Sequence, residues 1–145
     1  MKDATLLCPN LSPYPYALQL SAGHVVDSVP IIAGGYSSST YRSYVHKHDR
    51  ETNSWISLGN MAKPRNQFTS VPLNGALWVL GGHTGSRIEK STEIIFPNGT
   101  IVGGPDLPAP RARHCVVTLK GQEISEAIFL AFNSPKLPMI YSPSL

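Results

Sequence analysis

The 145-residue chain is poor in charge, in cysteine and in long apolar runs. Only 14% of its residues are charged, and its 12 Lys and Arg are spread along the chain. A formal net charge of +3 distributed in this way is too dilute to track phosphates, so nucleic acid is not an expected partner. Two cysteines, Cys8 and Cys115, exclude a disulfide scaffold and leave room for one bridge at most. No stretch approaches the roughly 18 to 20 apolar residues of a membrane-spanning helix. The opening MKDATLLCPN holds an apolar run too short for a secretory segment, which gives a cytoplasmic chain as the expectation. Asn10 and Asn98 match the glycosylation pattern at a frequency that the Ser and Thr content explains by chance.

Chemical motifs are missing as well. The glycine pairs in AGGYSSST and GGHTGSRIE have neither the spacing nor the following helix of a dinucleotide fingerprint or a phosphate loop. There is no nucleophile elbow and no paired-carboxylate cleft, and no cofactor or metal is expected. His46 and His48 share one face of a strand but lack a third ligand. They read as solvated residues on an outer strand. His114 reads as a structural histidine on an inner strand.

What is present is 41% hydrophobic residues cut into short runs by 13 prolines and 12 glycines, the profile of an all-β chain. The stretch from Lys120 to Phe132 reads as a turn followed by a strand. The chain also repeats. Gly34-Gly35 in PIIAGGYSS recurs 47 positions on as Gly81-Gly82 in WVLGGHTGS. Pro64-Arg65 in NMAKPRNQF recurs 46 positions on as Pro110-Arg111 in DLPAPRARH. Each period holds four short strands. In the second unit these are QFTSVPL, ALWVLGG after an Asn74-Gly75 turn, STEIIF, and TIVG after Pro97-Asn98-Gly99. In the first unit they fall at Tyr16 to Leu20, Val29 to Gly34, Tyr41 to His48 and Ser54 to Leu58.

The glycine pair closing a second strand, Tyr36 after it, HDRETNSW with Asp49 and Trp55, and then MAKPR resemble a kelch repeat. The resemblance implies an all-β fold of four-stranded antiparallel meanders, the blades of a β-propeller. Blade 1 is expected over about 16–59, blade 2 over about 67–104 and a partial blade 3 over about 113–142. Residues 1–15 are free to add a strand to the last blade. With about two and a half blades against the 4 to 8 of a ring, the chain reads as part of a larger propeller or as one completed by a homo-oligomer. Trp55, Met61, Trp78 and Leu107 are expected between blades. Gly34, Gly35, Gly81 and Gly82 are expected where a neighbouring backbone comes too close for a Cβ. Arg65 and Arg111 are expected to pair with buried carboxylates or carbonyls, such as those near Asp49 or Asp106.

The resemblance further implies a non-enzymatic protein-interaction module of the scaffold or substrate-recognition type. Its ligand face would be built from loops between second and third strands, with Tyr36, Ser38, Tyr41, Arg42, His83, Ser86 and Arg87 as binding residues. The cationic members suit a protein partner presenting an acidic peptide. The alternatives are a remnant of a galactose-oxidase-like or secreted carbohydrate-active propeller and a truncated product with no independent function.

Overall fold

The structure is a computed structural model that describes residues 11–119, 128–132 and 139–141. It contains three antiparallel sheets and no helix among the described residues. The first is β1 (Ala22–Val26), β2 (Val29–Ser37), β3 (Thr40–Asp49) and β4 (Ser54–Asn60) in consecutive order. The second is β5 (Thr69–Leu73), β6 (Ala76–Leu80), β7 (Thr92–Ile95) and β8 (Ile101–Gly104), again consecutive. The third pairs β9 (Cys115–Leu119), β10 (Ile128–Phe132) and β11 (Met139–Tyr141) in the order β11-β10-β9. Two-residue turns at 27–28, 38–39 and 74–75 leave the strands they join no nearer partner than each other, and so start the first two sheets as meanders.

The turn chemistry explains where the strands begin. Asn74 and Gly75 both take positive φ, 50° and 70°, and join β5 to β6. Asp27 and Ser28 do the same, at 46° and 65°, and so set β1 at Ala22–Val26. This corrects the expected first strand at Tyr16 to Leu20. That segment forms only an isolated bridge, Gln19 with Tyr36, and is broken at Leu20 by a φ of 55°. Asp-Ser is a weaker turn signal than Asn-Gly, which hid the hairpin.

Two apolar clusters lie between the sheets. Val26, Ile31, Ala33, Val45 and Met61 meet Leu77, Val79 and Ile95 between the first and second sheets. Trp78, Leu80, Val71, Ala76 and Leu107 form the second cluster, with Val116 of β9 against it. Because strand side chains alternate between faces, β6 serves both clusters and all five of its residues are buried.

Trp55 is a correction. It lies on the opposite face of the first sheet, 5.1 Å from Tyr14 and 5.2 Å from His48, ring centre to ring centre. His46 and His48 are corrected with it, being 8% and 3% exposed instead of solvated. Residues 11–16 cover them. Tyr14 O–H bonds His46 Nδ1 at 2.9 Å, Trp55 Nε1 donates to the Ser12 carbonyl at 3.0 Å, and the Ser12 N–H donates to Asn53 Oδ1. Burial, and then Tyr16, push the Tyr14 phenol up to about 12, while burial pushes His46 down. Residues 11–15 therefore lie on the first sheet; the expected strand from Ala4 to Cys8 falls outside the described residues, as do Asn10 and the turn at 120–127.

The repeat anchors meet at two equivalent joints, one per glycine pair. Gly35 N–H donates to the Arg65 carbonyl at 2.9 Å, and Gly82 N–H donates to the Arg111 carbonyl at 2.7 Å. A Cβ on Gly34 would come within 2.8 Å of that Arg65 oxygen, and one on Gly81 would collide with the Arg111 oxygen. Both glycines also hold positive φ, 57° and 64°. Gly81→Ala should therefore lower stability by at least about 2 kcal/mol through strain and collision together, measured by denaturant unfolding. An unchanged midpoint would contradict the joint.

From the Gly35–Arg65 joint the Arg65 side chain crosses into the second sheet, fully buried. Its Nη1 donates to the carbonyls of Gly81 (2.7 Å) and Ser91 (3.0 Å), and its Nη2 donates to Glu93 Oε1 at 2.7 Å. Glu93 Oε2 accepts from the Ala62 N–H at 2.8 Å. Arg65 thus takes buried carbonyls and a carboxylate as expected, but not those near Asp49 or Asp106: Asp49 accepts from the Glu51 N–H and the Thr52 hydroxyl in the β3–β4 turn, and Asp106 holds Lys90 at the surface. Glu93→Gln should cost about 3 to 5 kcal/mol because it strands a buried guanidinium. Thermal unfolding checks this.

His114, 46 positions after Phe68, fills the corresponding place in the third sheet's approach, 6% exposed beside Gly81. Burial and then the Arg111 charge push its imidazole down to about 4 from the ordinary 6.5. The unfolded chain therefore binds the extra proton between those values, and stability falls as pH drops from about 6.5 to about 4. His114→Phe should flatten that part of the pH–stability curve, read by thermal melts at several pH values.

Candidate functional site

One rim of the molecule gathers several of the residues singled out from sequence. Ser38 and Ser39, at φ 49° and 60°, make a two-residue hairpin between β2 and β3. Tyr36, Tyr41 and Arg42 are therefore strand residues, a correction to their expected place in a loop. The register sets Tyr36 directly opposite Tyr41, and their rings meet edge to face at 5.2 Å. His83, in the connection between β6 and β7, lies 5.8 Å from the Tyr41 ring, so the contact joins the first sheet to the unit of the second.

The segment from His83 to Ile88 is held by its own turn. His83 pairs with both Asn66 and Ile88, Gly85 N–H donates to His83 Nδ1 at 3.0 Å, and Thr84 N–H donates to the Arg87 carbonyl. Gly85 takes a φ of 100°, and a Cβ there would stand 3.0 Å from the Tyr41 ring. The absence of a side chain is what allows this turn to lie against Tyr41.

The charges are arranged differently from the expected cationic face. Lys63 and Arg87 both bind Glu89, each at 2.7 Å, although Arg87 is 67% exposed. Burial raises the Glu89 carboxyl, but hydrogen bonds and charges from Lys63 and Arg87 outweigh it and hold the group at about 2. Arg42 turns away from His83. It lies 5.5 Å over the Tyr44 ring and donates to the Ser37 carbonyl. Ser86 sits in the 83–88 turn with its hydroxyl 3.3 Å from that of Thr84.

Sequence reasoning missed Glu89, and it missed Gln67 and Arg113. The last two are 46 positions apart, share positive φ of 52° and 53°, and are joined by two hydrogen bonds, Arg113 N–H to the Gln67 carbonyl and Arg113 Nε to Gln67 Oε1. Gln67 follows Asn66, whose backbone pairs with His83, so this link borders the same rim. The signal was available, since both residues follow a Pro-Arg-x anchor. Among the described residues no three His, Cys, Asp or Glu side chains come together as a metal site.

No protein-family model matches the chain. It is 32% identical over 91 residues to the influenza virus NS1A-binding protein homolog of Mus musculus, covering 63% of this chain and 14% of that protein. It is 27% identical over 114 residues to kelch-like protein 33 of Homo sapiens, covering 76% of this chain and 21% of that protein. The chain thus spans less than a quarter of the length of either relative. Among solved structures, that titled "Structure of YjhT" is similar with a TM-score of 0.65 and 22% identity, over 83% of this chain and 36% of that one. By sequence the chain is similar to kelch-repeat proteins, and its two four-stranded antiparallel sheets have the fold of partial propeller blades.

Proposed function

We propose that the chain is a non-enzymatic protein-binding module whose ligand face is the rim of Tyr36, Ser38, Tyr41, His83, Ser86 and Arg87, with Arg42 at its border. The observation that carries this reading is the half-buried Tyr36–Tyr41–His83 contact, which crosses two rigid blades. Such a row offers large aromatic area already ordered before a partner arrives, and that lowers the entropy cost of binding. The similarity to an NS1A-binding protein homolog and to a kelch-like protein supports a protein partner.

An acidic segment of that partner would meet Arg87 in competition with Glu89. Charge then assists encounter and orientation more than affinity, and the aromatic row supplies most of the binding energy. The test is selection of peptides from a displayed library by the purified chain, followed by titration of the best binder. Tyr41→Ala should weaken it about thirtyfold, the loss of a hot-spot contact near 2 kcal/mol, with an unchanged far-ultraviolet spectrum. Binding that survives both Tyr41→Ala and His83→Ala would overturn the assignment of the rim.

A further inference from the structure

The two Pro-Arg anchors are alike in backbone and unlike in side chain. Arg65 N–H donates to the Arg42 carbonyl and Arg111 N–H to the Glu89 carbonyl, and each arginine carbonyl accepts from the second glycine of a pair. Arg65 then makes four side-chain hydrogen bonds, ending on Glu93. Arg111 makes no side-chain hydrogen bond or ion pair among the described residues, and its buried Nε has no partner.

The register explains the difference. Thr69 pairs with Leu80 and, 46 positions on, Cys115 pairs with Phe132. Counting one residue back along each second strand, Val79 corresponds to Ala131. Val79 pairs with Glu93, whereas Ala131 pairs with Met139. The third sheet thus carries methionine at the register position where the second carries the acid. The described carboxylates nearest in sequence are already engaged, Glu89 by Lys63 and Arg87 and Asp106 by Lys90. Beside Arg111 stands His114, more than nine-tenths buried, with neither ring nitrogen partnered. Among the described residues the Arg111 Nε and the His114 ring nitrogens thus lack a partner at one joint, and a guanidinium beside an imidazole N–H matches the two oxygens of a carboxylate.

We propose that the joint between the second and third sheets is a carboxylate-binding site, in which Arg111 and His114 take an external carboxylate where Arg65 has Glu93. The site is separate from the aromatic rim and independent of the rim's function. Filling it would complete an ion pair on the half-buried Arg111 and so raise the stability of the folded chain by mass action.

The test is thermal unfolding of the full chain at fixed pH and ionic strength, with sodium acetate replacing sodium chloride. Acetate should raise the midpoint saturably, and the His114 ring resonances should shift over the same concentrations. A blocked Gly-Glu-Gly peptide that also stabilises the chain, when Gly-Gln-Gly does not, assigns a side-chain carboxylate; acetate acting alone assigns a small free one. Arg111→Met should abolish the response. Met139→Glu should raise the midpoint without acetate and remove the acetate effect, which keeps the proposal open to refutation if Arg111→Met does not fold. Acetate acting no differently from chloride, or an acetate effect that persists undiminished in Met139→Glu, would overturn it.

Discussion

Everything in the first two blades converges on Arg65. Its carbonyl holds Gly35, its N–H holds the Arg42 carbonyl, and its guanidinium reaches Gly81, Ser91 and Glu93 of the next sheet. A blade is a twisted sheet with two apolar faces and cannot cover both alone. Dispersion between Ile31, Val45, Leu77 and Ile95 brings two such faces together without fixing their relative rotation, because aliphatic contacts have little direction. The arginine fork is directional, and once buried its bonds cannot be exchanged for water. It therefore sets the geometry at which the second sheet sits on the first.

The rim depends on that geometry. Tyr41 is on β3 and His83 in the β6–β7 connection, and their 5.8 Å contact depends on the sheets being locked in register at the glycine–arginine joint. Gly85 then permits the 83–88 turn to lie on the Tyr41 ring. The glycine pairs therefore have no chemistry of their own. They make room for the carbonyls that align two blades, and the alignment produces the surface.

The opposite face of the first sheet solves the same packing problem differently. Position for position, the face that in the second sheet receives Arg65 carries His46 in place of Glu93, and Tyr14 bonds it. An aromatic cluster of Tyr14, Tyr16, Tyr44, His48 and Trp55, with edge-to-face contacts of Trp55 on Tyr14 and His48, replaces the ion pair. Burial of two histidines there is tolerable because Tyr14 and Asn53 satisfy one nitrogen of each.

How much of this was legible varies with the range of the interaction. Strand number, strand order and the glycine–arginine spacing follow from local turn chemistry and from the repeat, which any reader of the sequence meets as Gly34-Gly35 with Gly81-Gly82 and Pro64-Arg65 with Pro110-Arg111. Turn residues and hydrophobic alternation act over a few positions, so the sequence by itself determined the blades. It did not determine partners. Arg65 chose Glu93 over Asp49 or Asp106, Lys63 reached Glu89 across 26 positions, and His46 was covered by Tyr14, 32 positions away. Those choices depend on which side chains share a low-dielectric space after the sheets have packed, and only the tertiary structure decided them, because a charge separated by many residues from its partner leaves no periodic trace in the chain.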